Sequence, residues 1–308
     1  MIDVTLIGTA ALAPIPERAL TSALLTCEGH SVLFDCGEGT QSAARKAGVS
    51  LMKTDIIALT HYHGDHIFGI PGLMQTMFSA GRTETLYFAG PEGLADVIAT
   101  FMKLAGALSY DVGLIEIPAD GLRLCELVEG WPKAAMLTSF PTKHRCRSQG
   151  YSFTLSRAGK FSTERAEALG VPLKQWRTLQ NGISVEVNGK MILPEQVLGE
   201  PRKGLKVVFT GDTAMCDSLI EGAKGADLMI CEATYGENEQ AELAIERGHM
   251  NFAQAAMTAK RAGVKELWLS HYSQIITRPG TYLPNAEKIF PASKCGYDGL
   301  SKTLNFDS

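Results

Sequence analysis

Residues 60–66 read Thr-His-Tyr-His-Gly-Asp-His and follow the apolar run Asp-Ile-Ile-Ala-Leu-Thr at 55–60, which predicts a buried strand. The first two histidines stand two residues apart, so an extended backbone projects both to one side. The glycine then lets the chain turn and bring the last two residues toward the same cavity. Three imidazoles and one carboxylate are ordinary ligands of zinc or a similar divalent ion. The candidate ligands of this motif are His61, His63, Asp65 and His66.

Six residues cannot easily aim four groups at one ion, so the motif indicates two neighbouring metals. The alternative interpretation is a polar turn with solvated histidines. Three further candidate ligands follow predicted strands elsewhere: His144 beyond a strand ending near Phe140, Asp212 in Phe-Thr-Gly-Asp-Thr, and His271 in Leu-Ser-His-Tyr-Ser. Ligand groups gather at the carboxyl ends of strands in α/β sheets, and all of these candidates stand there.

The wider pattern predicts an α/β fold, because short apolar strands alternate with helical stretches. The expected strands are 3–8, 22–27, 31–35, 55–60, 86–89, 114–117, 134–140, 205–210, 227–231 and 266–270. The expected helices are 40–46, 71–80, 92–104, 214–222 and 252–262. The segment 157–202 fits this rhythm poorly and carries Gly-Lys, Gly-Val-Pro and Asn-Gly turn signals, so it is interpreted as an inserted arm.

Composition narrows the class of protein. The chain has 308 residues, 45% hydrophobic and 20% charged, an ordinary globular balance for one large domain or two modest ones. Its seven cysteines are scattered without a Cys-x-x-Cys pair, which argues against a disulfide framework and favours a reducing, cytoplasmic location. The first residues read as a buried strand and not as a signal peptide. No run is long enough for a membrane span.

The charge is unevenly distributed. The net charge of −4 is unusual for a protein that binds nucleic acid, yet residues 141–180 hold eight basic and only two acidic side chains. The rest of the chain holds 21 basic and 31 acidic ones. Two interpretations remain open: a solvated basic surface without a partner, or a surface for an anionic partner.

The ligand pattern resembles the metallo-β-lactamase superfamily, and the finer match is to the ribonuclease Z family, endonucleases that trim the 3′ ends of transfer-RNA precursors. The similarity runs nearly end to end. The residues that carry it are Gly8-Thr9, Pro14, Arg18, 34–41 (Phe-Asp-Cys-Gly-Glu-Gly-Thr-Gln), 61–73, 143–145, 197–199, Pro201-Arg202, 209–213, 232–234, His249, 253–256 and 271–273.

The resemblance implies a single αββα sandwich domain over 1–308, two zinc ions per chain (manganese as the alternative), and a homodimer acting on precursor transfer RNA. By position, one ion is expected on His61, His63 and His144, the other on Asp65, His66 and His271, with Asp212 bridging. Asp65 matches the family's catalytic proton acceptor. The recognition arm maps to 157–202, and its expected RNA-binding residues are Arg157, Lys160, Arg165, Lys174 and Arg177.

His249, which is not one of the expected ligands, is a further candidate catalytic residue. We expect His249 to donate a proton to the leaving 3′ oxygen, with Glu232 fixing its tautomer; the alternative is a structural contact.

The chain departs from the family's arm, which commonly has a Gly-Pro tip where this sequence reads Gly-Val-Pro-Leu-Lys-Gln-Trp at 170–176. A small-molecule phosphodiester, lactone or sulfate-ester hydrolase of the same fold therefore remains the main alternative, and a non-enzymatic RNA-binding module is a weaker one.

Overall fold

The chain forms two seven-stranded sheets in the computed structural model, which describes residues 1–307. The N-terminal sheet has the order β16-β1-β2-β3-β4-β5-β6. Its strands are β1 (Ile2–Gly8), β2 (Ser22–Cys27), β3 (His30–Phe34), β4 (Thr54–Ala58), β5 (Leu86–Ala89), β6 (Val112–Ile115) and β16 (Ser301–Leu304). The last strand of the chain thus completes the first sheet.

The C-terminal sheet has the order β15-β14-β13-β12-β9-β8-β7. Its strands are β7 (Leu122–Arg123), β8 (Ala135–Pro141), β9 (Gln149–Arg157), β12 (Arg202–Phe209), β13 (Leu228–Glu232), β14 (Leu267–Ser270) and β15 (Ser293–Cys295). A separate hairpin pairs β10 (Val185–Val187) with β11 (Lys190–Ile192).

Twelve α-helices are found in residues 1–307: α1 (Thr40–Lys46), α2 (Gly64–Ile67), α3 (Ile70–Ser79), α4 (Leu94–Ala105), α5 (Leu124–Leu127), α6 (Thr163–Ala168), α7 (Leu173–Gln180), α8 (Pro194–Val197), α9 (Asp217–Ala223), α10 (Ala241–Glu246), α11 (Phe252–Ala262) and α12 (Leu283–Glu287). Within the same residues, no helix combines the length and apolarity needed to cross a membrane.

The two sheets pack face to face and carry helices on their outer faces. Phe34 of the first sheet stacks on Phe209 of the second, with ring centroids 5.4 Å apart, inside the core between the sheets. A second apolar cluster joins the N-terminal sheet to α3 and α4, and a third joins the C-terminal sheet to α9 and α11. The order of layers is helix, sheet, sheet, helix, which confirms the predicted αββα sandwich.

The topology brings several strand ends to one edge. Strands β3 to β6 are parallel, as are β12 to β15. Parallel strands end together, so the segments after β4, β12 and β14 open on the same side of their sheets. These are the segments that carry the 60–66 motif, Asp212 and His271.

Strand β9 was missed by the sequence analysis, which assigned no element to 149–157. This strand pairs antiparallel with both β8 and β12 near the centre of the C-terminal sheet. Tyr151 and Phe153 are buried in this strand, but the Gly, Ser and Thr residues around them and the basic residues at its ends obscure the apolar pattern typical of a strand. The predicted strands were shifted by no more than three residues, and α9 begins three residues later than expected. Strands β7, β15 and β16 were also not predicted.

The segment between β9 and β12 has a small core of its own. It contains α6, α7, α8 and the β10–β11 hairpin, which enclose Ala166, Val171, Leu179, Val185, Val187, Ile192 and Val197. Phe161 packs against Trp176 at the edge of this cluster, with ring centroids 5.4 Å apart. We call this unit, residues 158–201, the arm.

Candidate metal centre

The first group of donors comes from the loop after β4 and the loop after β8. His63 has an extended backbone, as the alternation of the motif predicts, and α2 begins at Gly64. The Nε2 atom of His61 lies 3.0 Å from Nδ1 of His63, and Nε2 of His144 lies 3.3 Å from the same Nδ1. Two nitrogens that bind one tetrahedral zinc ion are about 3.3–3.4 Å apart, so this spacing fits a shared cation.

The second group lies beside the first. The Nε2 atoms of His66 and His271 are 3.2 Å apart. The Oδ2 atom of Asp65 lies 3.4 Å from Nε2 of His271 and accepts a hydrogen bond from the backbone N–H of Leu12 at 2.8 Å. His271 and Leu12 both have positive φ values, 56° and 66°, so the backbone is strained on both sides of this carboxylate.

Asp212 lies between the two groups and directs one oxygen to each. Its Oδ2 atom is 3.7 Å from Nε2 of His61, and its Oδ1 atom is 3.2 Å from Nε2 of His271. The side chain is buried, yet Oδ1 has no hydrogen-bond partner in residues 1–307. A buried carboxylate oxygen without a partner is costly, and a cation at this point would remove that cost. The donor set therefore fits a pair of divalent ions.

The outer ring nitrogens of His61, His144 and His271 are already engaged. Nδ1 of His144 donates to the carbonyl of Gly248 at 2.8 Å, and Nδ1 of His271 donates to Oγ1 of Thr234 at 3.0 Å. Nδ1 of His61 lies 3.0 Å from Oγ1 of Thr60. These bonds select the tautomer in which the lone pair of Nε2 points inward, the arrangement typical of metal-binding histidines.

Asp35 contacts one of the candidate ligands, although the sequence analysis assigned it no role. It is fully buried just after β3, with a φ of 54°. Its Oδ2 atom accepts from Nδ1 of His66 at 2.7 Å and from Oγ1 of Thr60 at 2.9 Å, and its Oδ1 atom accepts from the N–H of Thr60 at 2.8 Å. The available signal was a carboxylate directly after a buried strand in 34–41.

The carboxylates and histidines shift one another's pKa. Burial alone would raise the pKa of Asp212, but His271 and His66 outweigh it and hold that pKa well below its usual range. Burial alone would lower the pKa of His66, but the carboxylates of Asp212 and Asp35 raise it well above 6.5. The pKa of His61 is well below its usual value because of burial and the nearby His66. The centre is thus built around ionised carboxylates.

His249 stands at the edge of the centre, with its ring held by Glu232. Nδ1 of His249 lies 2.9 Å from Oε1 of Glu232 and 3.9 Å from Oδ2 of Asp212. Glu232 also accepts from the N–H groups of Thr213 and Thr234. Burial opposes the charged imidazolium, but the Glu232 carboxylate outweighs it and raises the pKa of His249 to about 9. Because Glu232 occupies Nδ1, Nε2 is the nitrogen left to exchange a proton.

The structure brings all seven candidate metal ligands, His249 and Glu232 together, and it separates the candidate RNA-binding residues from them. Lys160, Arg165, Lys174 and Arg177 lie on the arm and are exposed, without ion-pair partners in residues 1–307. Arg157 is different. It ends β9, its guanidinium lies over the ring of Phe306 and donates to the carbonyl of Asp307, so it is anchored to the body of the protein.

Comparisons with known proteins agree with this architecture. A family model described as Anti-Pycsar protein Apyc1 matches residues 2–165, and one described as a Beta-lactamase superfamily domain matches residues 196–272. The ribonuclease Z of Lachnoclostridium phytofermentans is 42% identical over 100% of this chain and 99% of its own. That of Agathobacter rectalis is 41% identical with the same coverage. The crystal structure of human tRNase Z, short form, has a TM-score of 0.69 at 27% identity, covering 99% of this chain and 100% of that one.

Proposed function

Because the chain belongs to the ribonuclease Z family of metallo-β-lactamase-fold endoribonucleases, which hydrolyse phosphodiesters, we propose that it cleaves transfer-RNA precursors at their 3′ ends with two bound zinc ions. The observation that carries this proposal is the position of Asp212, whose two oxygens face two separate groups of donors. A single structural ion is normally enclosed by four ligands, and this centre offers seven.

One ion would be held by His61, His63 and His144, the other by Asp65, His66 and His271, with Asp212 between them. A bound pair of divalent cations would stabilise negative charge on the phosphate and make the attacking water more acidic. The four outer hydrogen bonds on Nδ1 keep the histidines oriented for this task.

Asp65 is proposed to orient the attacking water and accept its proton. Its Oδ2 atom is fixed by the N–H of Leu12, so the carboxylate cannot rotate freely. Water attacks phosphorus, the bond from phosphorus to the 3′ oxygen breaks, and that oxygen needs a proton. Nε2 of His249 is placed to donate it, since Glu232 holds Nδ1.

The arm is proposed to bind the phosphates of transfer RNA through Lys160, Arg165, Lys174 and Arg177. Its exposed basic side chains and its own core support a recognition unit inserted in a single hydrolase domain. Arg157 is left out of this set because Phe306 and Asp307 hold its side chain. From the resemblance alone, we also propose a homodimer that works in the cytoplasm.

The direct test is cleavage of a precursor transfer RNA with both new ends mapped. We expect one cut at the 3′ end of the mature sequence, leaving a 3′ hydroxyl. Intact precursor, together with rapid hydrolysis of a small phosphodiester, would instead assign the centre to a small-molecule substrate.

A further inference from the structure

We propose that Cys146 provides an additional sulfur donor to the cation held by His61, His63 and His144. This inference rests on the proposed cation pair and adds a ligand that neither the motif nor the seven-residue set contains. It makes the two cation positions chemically different.

The first support is geometric. The Sγ atom of Cys146 and one ring nitrogen from each of His61, His63 and His144 all lie within 4.8 Å of one another. A sulfur and a nitrogen on one tetrahedral zinc are about 3.6 Å apart, so the thiol needs to move by no more than about 1 Å. Cys146 is exposed on the loop between β8 and β9, so a rotation of its side chain can cover that distance.

The second support is that this loop is held in place against the centre. The backbone N–H of Lys143 donates to Oγ1 of Thr213 at 3.0 Å, and the carbonyl of Lys143 accepts from the N–H of Ala214 at 2.8 Å. Thr142 and Ser148 close the base of the loop through their hydroxyls, 2.7 Å apart. With His144 also fixed to Gly248, the thiol stays on the same side as the donors.

The third support is the buried carboxylate of Asp212 beside His61 and His144. Oδ2 of Asp212 lies 3.7 Å from Nε2 of His61 and 4.0 Å from Nε2 of His144, whereas Oδ1 of the same side chain faces His66 and His271 of the second group. This side chain indicates a cation independently of the cysteine. A thiol also has no packing role at this position, because Cys146 is the one exposed cysteine of the seven.

A sulfur donor would change metal preference at the first position. Thiolate with imidazole favours zinc or cobalt, whereas the second position, with Asp65 and two histidines, also suits manganese. We therefore expect the first position to resist replacement of zinc by manganese more strongly than the second.

The test uses cobalt in the full-length protein, because a thiolate bound to Co²⁺ gives a near-ultraviolet charge-transfer absorption. Protein stripped of metal and given two equivalents of Co²⁺ should show that absorption. Cys146→Ser should lose it while still taking up cobalt, and Cys125→Ser, a half-buried cysteine away from the centre, should retain it. No absorption in the wild type, or an unchanged absorption in Cys146→Ser, would overturn the inference.

Alkylation gives a second readout that does not depend on catalysis. Iodoacetamide should modify Cys146 first in metal-free protein, since it is the exposed thiol. Two equivalents of Zn²⁺ should slow that modification at least tenfold by peptide mass analysis, and an unchanged rate would contradict the proposal. Two bound cobalt ions without thiolate absorption would overturn this inference alone, whereas failure to bind two ions would overturn the proposed pair as well.

Discussion

Asp35 accepts three hydrogen bonds from the residues that orient the centre, two from Thr60 and one from the ring of His66. Its contacts are with Thr60 and with the outer ring nitrogen of His66, on the side away from the proposed cations. Its effect is indirect: it fixes the tautomer of His66 and strengthens that ring as a donor. Thr234 acts in the same way, since it accepts from His271 and donates to Glu232. The orientation of the ligand side chains therefore depends on the residues that hydrogen-bond to them from behind.

Asp35→Asn should weaken zinc binding about 10–100-fold, because the amide cannot accept from both His66 and Thr60 as the carboxylate does. Affinity is measured by competition with a coloured chelator. Asp227→Asn is the matched control, since Asp227 is a buried carboxylate that pairs with lysines away from the centre. Equal affinity in both variants would show that Asp35 does not support the ligands.

Asp65→Ala should reduce kcat on precursor transfer RNA by far more than tenfold, which is about 1.4 kcal/mol in the barrier. The change removes a metal ligand that is also the proposed proton acceptor, so kcat should fall more than it does when a residue that is only a ligand is replaced. Circular dichroism should show an unchanged fold, and metal content should be measured on the same sample. Activity within tenfold of the wild type would rule out the assigned role.

At the level of elements, the arm folds around its own apolar cluster, so we expect changes on its surface to affect RNA binding without affecting the chemistry at the metal centre. Removing residues 160–177 would cut through that cluster, taking away Ala166 and Val171 and exposing Val185 and Val197 to water. Removing charge on α7 is the cleaner change. Lys174 and Arg177 are exposed there, one helical turn apart, so both can be truncated without opening the cluster.

The double variant Lys174→Ala and Arg177→Ala should weaken transfer-RNA binding and lower the slope of log affinity against log salt by about 1.5, since each phosphate contact contributes about 0.7–0.9. Hydrolysis of a small chromogenic phosphodiester should stay at the wild-type rate. Lys103→Ala, an exposed lysine on α4, is the control for loss of surface charge. If the slope of log affinity against log salt is unchanged, Lys174 and Arg177 do not contact RNA phosphates and the proposed role of the arm is wrong.

Local patterns predicted the elements well where periodicity and capping agree. The observed bounds of α11 match the predicted 252–262: in the structure Asn251 caps its first turn and Gly263, with a φ of 64°, ends it. Strand β9 was missed because its hydroxyl and glycine residues become buried only through pairing on both sides with β8 and β12. The ligands could be predicted because they follow strands, whereas the role of Asp35 depends on contacts that local sequence does not encode.

At the scale of the whole molecule, the centre joins the two sheets. His61, His63, Asp65 and His66 follow a strand of the N-terminal sheet. His144, Asp212 and His271 follow strands of the C-terminal sheet. Bound cations would connect the two sheets at one edge, beside the apolar core that already holds them together.

Removing metal with a chelator should therefore lower the melting temperature. A ligand at a hundred times its dissociation constant stabilises the folded state by about 2.7 kcal/mol, which corresponds to a shift of about 5 °C for a domain of this size. Differential scanning calorimetry should show the loss and its reversal by two equivalents of Zn²⁺ per chain. Elemental analysis finding fewer than two ions, or identical melting with and without chelator, would contradict the dinuclear centre.

The base of the arm has a consequence for how such enzymes diversify. Arg157 and Arg202 are register partners on neighbouring strands, so the insertion leaves and re-enters the sheet across a single strand spacing of about 4.8 Å. An insertion whose ends already meet can be lengthened, shortened or exchanged with little cost in loop closure. The arm is therefore an exchangeable insertion. Evolution or an engineer could replace it with another recognition module and redirect the same hydrolytic scaffold to a different polymer.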